Sequence, residues 1–191
     1  MNRPKLLLFD TVCIIKVMEL GLWDHLCQQY RVLVPSTIVH GEAQFFRNED
    51  KRRVEIVLAD EVATGKIEEY TAGALDLAET LRQWPAAIRE RADVGEVEAI
   101  TYLRLCGAAE TAFLTADGPA IQACVALQVG DAAVSLDALL NDSGCGVKSL
   151  PRHFTHDFVA EHRQKGMPYF LNAIAPASSQ APPGGTKRRK P

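Results

Sequence analysis

Short apolar runs alternate along the chain with stretches in which apolar residues recur every three or four positions. The short runs are typical of buried parallel strands, and the periodic stretches are typical of helices that cover them. The pattern predicts an α/β protein with a single three-layer α/β/α domain around a central parallel sheet of about five strands. The predicted strands span residues 6–9, 31–34, 67–70, 112–115 and 132–136.

The periodic stretches between these strands predict the helices. Ser36 is a favoured N-cap residue, and it begins a helix that carries Ile38, Val39, Phe45 and Phe46. Another predicted helix directly follows Asp10. Further helices are predicted over residues 50–62, 74–84, 93–107, 119–130, 137–140 and 154–165.

Composition divides the chain into three parts. Residues 1–142 form the main domain, and residues 143–172 form a C-terminal helical extension. Residues 173–191 are rich in Ala, Pro, Ser and Gly and then in basic residues, which predicts a disordered basic tail.

The charge of the chain limits the classes of function. The net charge is −3, and four of the basic residues lie at positions 187–190; without them, 17 basic residues face 24 acidic ones, a balance of −7. A protein that holds nucleic acid on a broad basic surface has the opposite balance. A nucleic-acid substrate therefore requires cations at the acidic centre and local basic patches.

Apolar content and cysteine usage bear on the compartment. No run of 18 apolar residues occurs, so no membrane partner is expected. The five cysteines are odd in number and scattered, which favours reduced thiols and a cytoplasmic protein.

Two acidic residues follow predicted buried strands. Asp10 comes directly after Phe9, and Asp117 comes three positions after Leu114. In open α/β sheets, ligands bind beyond the carboxyl ends of the strands, at the point where the chain reverses its direction across the sheet. If the two strands are neighbours there, both carboxylates open into one crevice. Taken alone, Asp10 is explained equally well as the N-cap of the next helix.

Three glutamates lie in predicted helices. Glu42 comes four residues after Ile38 and Glu96 four residues before Ile100, so each shares the apolar face of its helix. A buried carboxylate needs a cation or a hydrogen-bond partner, which makes both residues ligand candidates. The alternative for Glu42 is an edge position from which the carboxylate reaches water. Glu98 falls roughly 200° from Glu96 around the helix and fits an acid that complements the helix dipole.

Several acids that converge without basic partners repel one another, and a hard divalent cation relieves that repulsion. Mg²⁺ and Mn²⁺ both take carboxylate and water oxygens as ligands. Such an ion lowers the pKa of an attacking water and stabilises the oxyanions of a phosphate, so phosphodiester hydrolysis is the expected reaction.

A basic run near Phe45 has two interpretations. Arg47 and residues 51–53 form either a solvated helix face that pairs with nearby acids or a set of phosphate contacts at the rim of the site. His153, His156 and His162 do not match the ligand spacing of a tetrahedral zinc site.

Four short motifs of the main domain contain the candidate acids. They are Leu7-Leu8-Phe9-Asp10-Thr11, Val34-Pro35 followed by Glu42, Gly95-Glu96-Val97-Glu98-Ala99-Ile100, and Leu114-Thr115-Ala116-Asp117. In these motifs the main domain resembles the PIN-domain ribonucleases, which include many prokaryotic toxin–antitoxin nucleases. The resemblance implies that residues 1–142 are a PIN-like nuclease domain with RNA as the substrate and Mg²⁺ or Mn²⁺ as the cofactor. It also implies a toxin role, an antitoxin protein as a partner and a homodimer.

Carried over from the resemblance, the catalytic and metal-binding residues are Asp10, Glu42, Glu96 and Asp117. Glu98 is an additional metal-ligand candidate, since the helix start also resembles that of the flap endonucleases. Val12 departs from the family pattern, which usually has Ser or Asn at this position. The alternative function is therefore a PIN-like binding or scaffold protein with little or no catalytic activity.

Overall fold

The computed structural model of the protein describes residues 6–41, 44–47, 50–147 and 149–174. This part of the chain is an α/β domain with a five-stranded, all-parallel central sheet between two layers of helices, as the apolar pattern predicts. The strands are β1 (Leu6–Phe9), β2 (Arg31–Pro35), β3 (Gln44–Arg47), β4 (Arg53–Ile56), β5 (Glu68–Tyr70), β6 (Thr111–Leu114) and β7 (Ala133–Val134).

Strands β3 and β4 form a separate antiparallel hairpin, and the other five strands form the sheet in the order β5-β2-β1-β6-β7. The helices are α1 (Thr11–Glu19), α2 (Trp23–Gln29), α3 (Ser36–Gly41), α4 (Leu58–Ala63), α5 (Ala74–Gln83), α6 (Ala86–Arg89), α7 (Val94–Cys106), α8 (Gly118–Ala126), α9 (Leu136–Asp142) and α10 (His156–Ile174).

The central strand β1 is buried on both faces, which explains its unbroken apolar sequence. Leu7 and Phe9 pack in a core cluster with residues of α1, α2, α3, α4 and α9. Leu6 and Leu8 point to the opposite face and pack with residues of α6, α7 and α8. The sheet thus separates two hydrophobic cores.

The chain reverses its direction across the sheet between β1 and β6. Strand β1 pairs in parallel with β2 on one side and with β6 on the other. The backbone N–H of Asp10 donates to the carbonyl of Leu114 at 3.0 Å, which continues the pairing one residue beyond β1. The prediction that these two strands are neighbours in the sheet is confirmed.

Two helix predictions were wrong between residues 36 and 62. Helix α3 ends at Gly41, and the residues that follow it include the strand Gln44–Arg47 rather than a longer helix. The predicted helix 50–62 is instead the strand Arg53–Ile56 followed by α4. In Arg53–Ile56 exposed side chains alternate with half-buried or buried ones, a period of two that suits a strand with one face on the core. Glu42 lies outside the described residues.

The C-terminal extension packs against the main domain along α10, which is longer than the predicted helix 154–165 and contacts α8. Gly118 and Gly166 allow this close approach. A Cβ atom at Gly118 would lie 2.2 Å from the nearest ring atom of His162, and one at Gly166 would lie 2.8 Å from Cβ of Val125. Residues 175–191, which make up most of the predicted tail, lie outside the described part of the chain.

Candidate active site

Asp10 stands at the end of β1 and precedes the first residue of α1. It occupies the N-cap position, but its side chain makes no capping hydrogen bond with the helix. The carboxylate is 8% exposed and accepts a hydrogen bond from the Thr115 hydroxyl at 3.3 Å. Burial raises the pKa of Asp10 to about 6, and the charges of Asp117 and Asp93 add to this shift. The capping interpretation therefore does not account for this side chain.

Asp117 caps α8 and also faces the same pocket as Asp10. Its Oδ1 accepts a hydrogen bond from the backbone N–H of Ala120 at 2.7 Å, and its own N–H donates to the Thr115 hydroxyl at 3.0 Å. Thr115 thus connects the two acidic residues across the switch point. Burial raises the pKa of Asp117, while the Ala120 N–H and the positive charges of His162 and Arg91 lower it in part.

Glu96 extends from the first turn of α7 into the pocket and is 7% exposed. Burial is the main cause that raises its pKa to about 9, and the charges of Asp117, Asp10 and Asp93 follow in that order. A carboxyl group in this environment holds a proton at neutral pH unless a cation replaces it. The predicted placement of Glu96 on an inward helix face is confirmed.

Asp93 is an acid of the site that is not among the site residues predicted from the sequence. It does cap α7, since its Oδ1 accepts a hydrogen bond from the N–H of Gly95 at 2.8 Å. It also lines the pocket and raises the pKa of Asp10 and of Glu96. The signal that could have revealed it is its separation of three residues from Glu96, which places both on one side of the helix start.

Glu98 is buried, in contrast to the expectation from its angular position on the helix, and is 1% exposed. Its carboxylate accepts hydrogen bonds from the backbone N–H of Ala72 at 2.8 Å, the N–H of Thr37 at 3.0 Å and the hydroxyls of Thr37 at 2.9 Å and Ser36 at 3.0 Å. These donors belong to α3 and to the segment before α5. Glu98 is not among the residues that line the pocket of Asp10, and its carboxylate joins α7 to these elements.

The acidic pocket encloses about 430 Å³ at the carboxyl edge of the sheet. A second pocket of about 540 Å³ lies beside it and shares Thr11 and Asp93 with it, so the two form one groove. The second pocket is bordered by the start of α3 at Ser36 and its end at Gly41. The acidic pocket is lined by Asp10, Thr11, Val12, Asp93, Glu96, Ala116, Asp117 and His153.

Three helices begin at the acidic pocket, namely α1, α7 and α8. The N-terminus of a helix carries a partial positive charge, which stabilises nearby carboxylates. This stabilisation does not cancel the burial and the mutual repulsion, since the pKa of Asp10, of Glu96 and of Asp117 is raised.

The donor set consists of carboxylate oxygens, which are the ligands that Mg²⁺ and Mn²⁺ prefer. Within residues 6–41, 44–47, 50–147 and 149–174, no group of three His, Cys, Asp or Glu side chains is already placed to hold an ion. Glu42, the fourth predicted ligand, falls in the first gap between these ranges. The residues fit a hard cation in their chemistry and their shared pocket.

Among the helices in the described ranges, none combines the length and the apolar character needed to cross a bilayer. Comparison of the chain with protein-family models, with curated proteins and with solved structures finds no match.

Proposed function

We propose that this protein is a metal-dependent endoribonuclease of the PIN type, which hydrolyses RNA phosphodiester bonds with Mg²⁺ or Mn²⁺. The observation that carries the proposal is the convergence of Asp10, Glu96 and Asp117 in one pocket at the switch point, with the pKa of each raised. Switch points are where open α/β sheets bind ligands, and buried acids with raised pKa values are typical of functional sites.

Asp10, Glu96 and Asp117 would hold the cation, with Glu42 as the fourth acid of the motif set. A bound divalent ion supplies a lowered pKa for the attacking water and charge stabilisation for the phosphate oxygens. Thr115 positions Asp10 through its hydroxyl, at 3.3 Å from the carboxylate, and positions Asp117 by accepting its N–H at 3.0 Å. Asp93 adds negative charge beside Glu96, which increases the demand for a cation.

A test is cleavage of RNAs of varied sequence by the purified protein with Mg²⁺ or Mn²⁺. Asp10→Asn keeps the size of the side chain and removes its charge, so we expect cleavage to fall by about 100-fold or more, as for loss of a metal ligand. Asp157→Asn is the matched control, because Asp157 is an exposed acid at the start of α10. No cleavage by the wild-type protein, or equal cleavage by the Asp10→Asn variant, contradicts the proposal.

The second candidate function is a PIN-like binding or scaffold protein without catalysis. Val12 favours it, because this side chain is 45% exposed, lines the acidic pocket and has no hydrogen-bonding group. Calorimetric titration with Mn²⁺ separates the two candidates. The nuclease requires Mn²⁺ binding that Glu96→Gln weakens, whereas a scaffold protein needs no such binding.

The resemblance to PIN-domain toxins adds further parts to the proposal. They are a toxin role, an antitoxin protein that covers the site, a homodimeric state and a cytoplasmic location. The location is supported by Cys13, Cys27, Cys106, Cys124 and Cys145, which are all free thiols.

A further inference from the structure

The β3–β4 hairpin has one face on the core and one face towards solvent. Ile56 is buried, and Phe46 packs against the core cluster that contains α1. Phe45 and Arg53 lie on the opposite face together with Arg47 and Glu55, because directly paired residues and residues two apart share a face. We define the outer hairpin face as these four residues: Phe45, Arg47, Arg53 and Glu55.

The outer hairpin face combines an exposed aromatic ring with two arginines. Phe45 is 37% exposed, and the guanidinium carbon of Arg53 lies 4.1 Å from the centre of its ring. Arg47 stands directly opposite Arg53 in the register of the hairpin. Like charges in that position destabilise a strand pair. Arg47 donates a hydrogen bond to the carbonyl of Lys51 at 3.2 Å, and neither arginine forms a salt bridge within the described part of the chain.

The hairpin also lies next to the groove. Gly41 borders the second pocket, and β3 begins three residues later, a span of at most about 10 Å for an extended chain. Strand β3 contacts α1, whose first residues Thr11 and Val12 line the acidic pocket. The hairpin is therefore a direct neighbour of the elements that line the groove.

We propose that the outer hairpin face binds single-stranded RNA, with a base stacked on the Phe45–Arg53 pair and Arg47 on a neighbouring phosphate. This inference rests on the proposed function and extends it to the substrate class. Aromatic rings and guanidinium planes are the usual platforms for unstacked bases, and a duplex does not offer its base faces. An acidic protein would form ion pairs with the two arginines, but it would not stack on the Phe45–Arg53 pair.

Binding is measured by fluorescence polarisation of a labelled, unstructured RNA oligonucleotide in EDTA, so that metal-dependent cleavage does not occur. Phe45→Ala is expected to weaken binding by about 10-fold or more, the effect of losing one stacked base. Phe45→Leu keeps apolar bulk without a ring and is expected to weaken it similarly. Arg47→Gln is expected to reduce the slope of log K against log salt concentration by about 0.7, the value for one phosphate contact on a single strand.

Arg82→Ala is the matched control, because Arg82 is exposed on α5 and its charge is paired with Glu79. It should bind RNA as the wild-type protein does. Wild-type affinity in Phe45→Ala or Phe45→Leu overturns the stacking proposal, and so does equal weakening in Arg82→Ala. If binding of an acidic peptide requires Phe45 and binding of RNA does not, the outer hairpin face is a binding site for a protein partner instead.

Hydrolysis of a small phosphodiester by the wild-type protein with Mn²⁺ reports on the acidic pocket alone. Absence of that hydrolysis counts against the proposed nuclease, while RNA binding in EDTA still decides the role of the hairpin. The two proposals therefore fail on different measurements.

Discussion

Helix α7 carries two buried glutamates whose replacement by glutamine should change stability in opposite directions. Burial of Glu96, and after it the charges of Asp117, Asp10 and Asp93, raise its pKa to about 9 from its ordinary value of 4.5. Between these two pH values the unfolded chain has released the proton that the folded protein retains. Stability of the metal-free protein therefore falls as the pH rises from about 4.5 to about 9.

The size of the effect follows from the pKa difference. A pH of 7 is about 2.5 units above the pKa of this carboxyl group in the unfolded chain. At 1.36 kcal/mol per unit, the retained proton lowers the free energy of unfolding by about 3 kcal/mol at pH 7. Glu96→Gln removes the titration and keeps the shape of the side chain. We expect the variant to be more stable than the wild-type protein by about 1 kcal/mol at pH 5 and by about 3 kcal/mol at pH 7.

The control is Glu98→Gln, two residues further along the same helix. The carboxylate of Glu98 accepts hydrogen bonds from Ala72, Thr37 and Ser36. The NH₂ group of a glutamine cannot accept hydrogen bonds, so it would leave the donors that it faces without an acceptor. An unsatisfied buried donor costs about 1–3 kcal/mol, so this variant should be less stable at every pH.

Urea unfolding in EDTA at several pH values, followed by circular dichroism and analysed by linear extrapolation, measures all three proteins. The explanation of the pocket is refuted if Glu96→Gln has the stability of the wild-type protein at pH 7. It is refuted equally if the difference between them does not grow with pH.

The remaining predictions concern the cation and the contact between α8 and α10. Mn²⁺ should raise the melting temperature of the wild-type protein more at pH 8 than at pH 6, because Glu96 and Asp10 must lose their protons to bind it; a calorimetric scan at both pH values measures this. Gly118→Ala should destabilise the protein by about 1–3 kcal/mol, because the new methyl group meets the ring of His162. Gly146→Ala is its control, since the nearest atom there is 3.8 Å away, and equal unfolding midpoints in urea for the two variants would contradict the packing argument.

The parts of the fold that were predicted correctly have strong local signals. The apolar run of β1 ends in Asp10, and a central parallel strand buries all four residues of this run. The spacing of Glu96 from Ile100 placed the carboxyl group on the buried face of α7, where it lies.

The parts that were missed depend on contacts that local patterns do not encode. The burial of Glu98 was missed because its angle around its own helix says nothing about α3, which packs over that side and supplies Ser36 and Thr37 as donors. Val54 was assigned to a helix because its spacing to Val57 and Leu58 fits a helical period. The structure instead pairs Val54 with Phe46 in the hairpin, a contact between residues eight positions apart.

Comparison of the two glutamates indicates how the function of a buried acid can be inferred. Both are nearly inaccessible to solvent, so burial alone does not distinguish them. Glu98 is satisfied by four donor groups and thereby fixes α3, the wall of the second pocket. Glu96 faces three other acids, and helix N-termini offset their repulsion only in part. This difference in partners is the reason that the proposed cation site includes Glu96 and not Glu98.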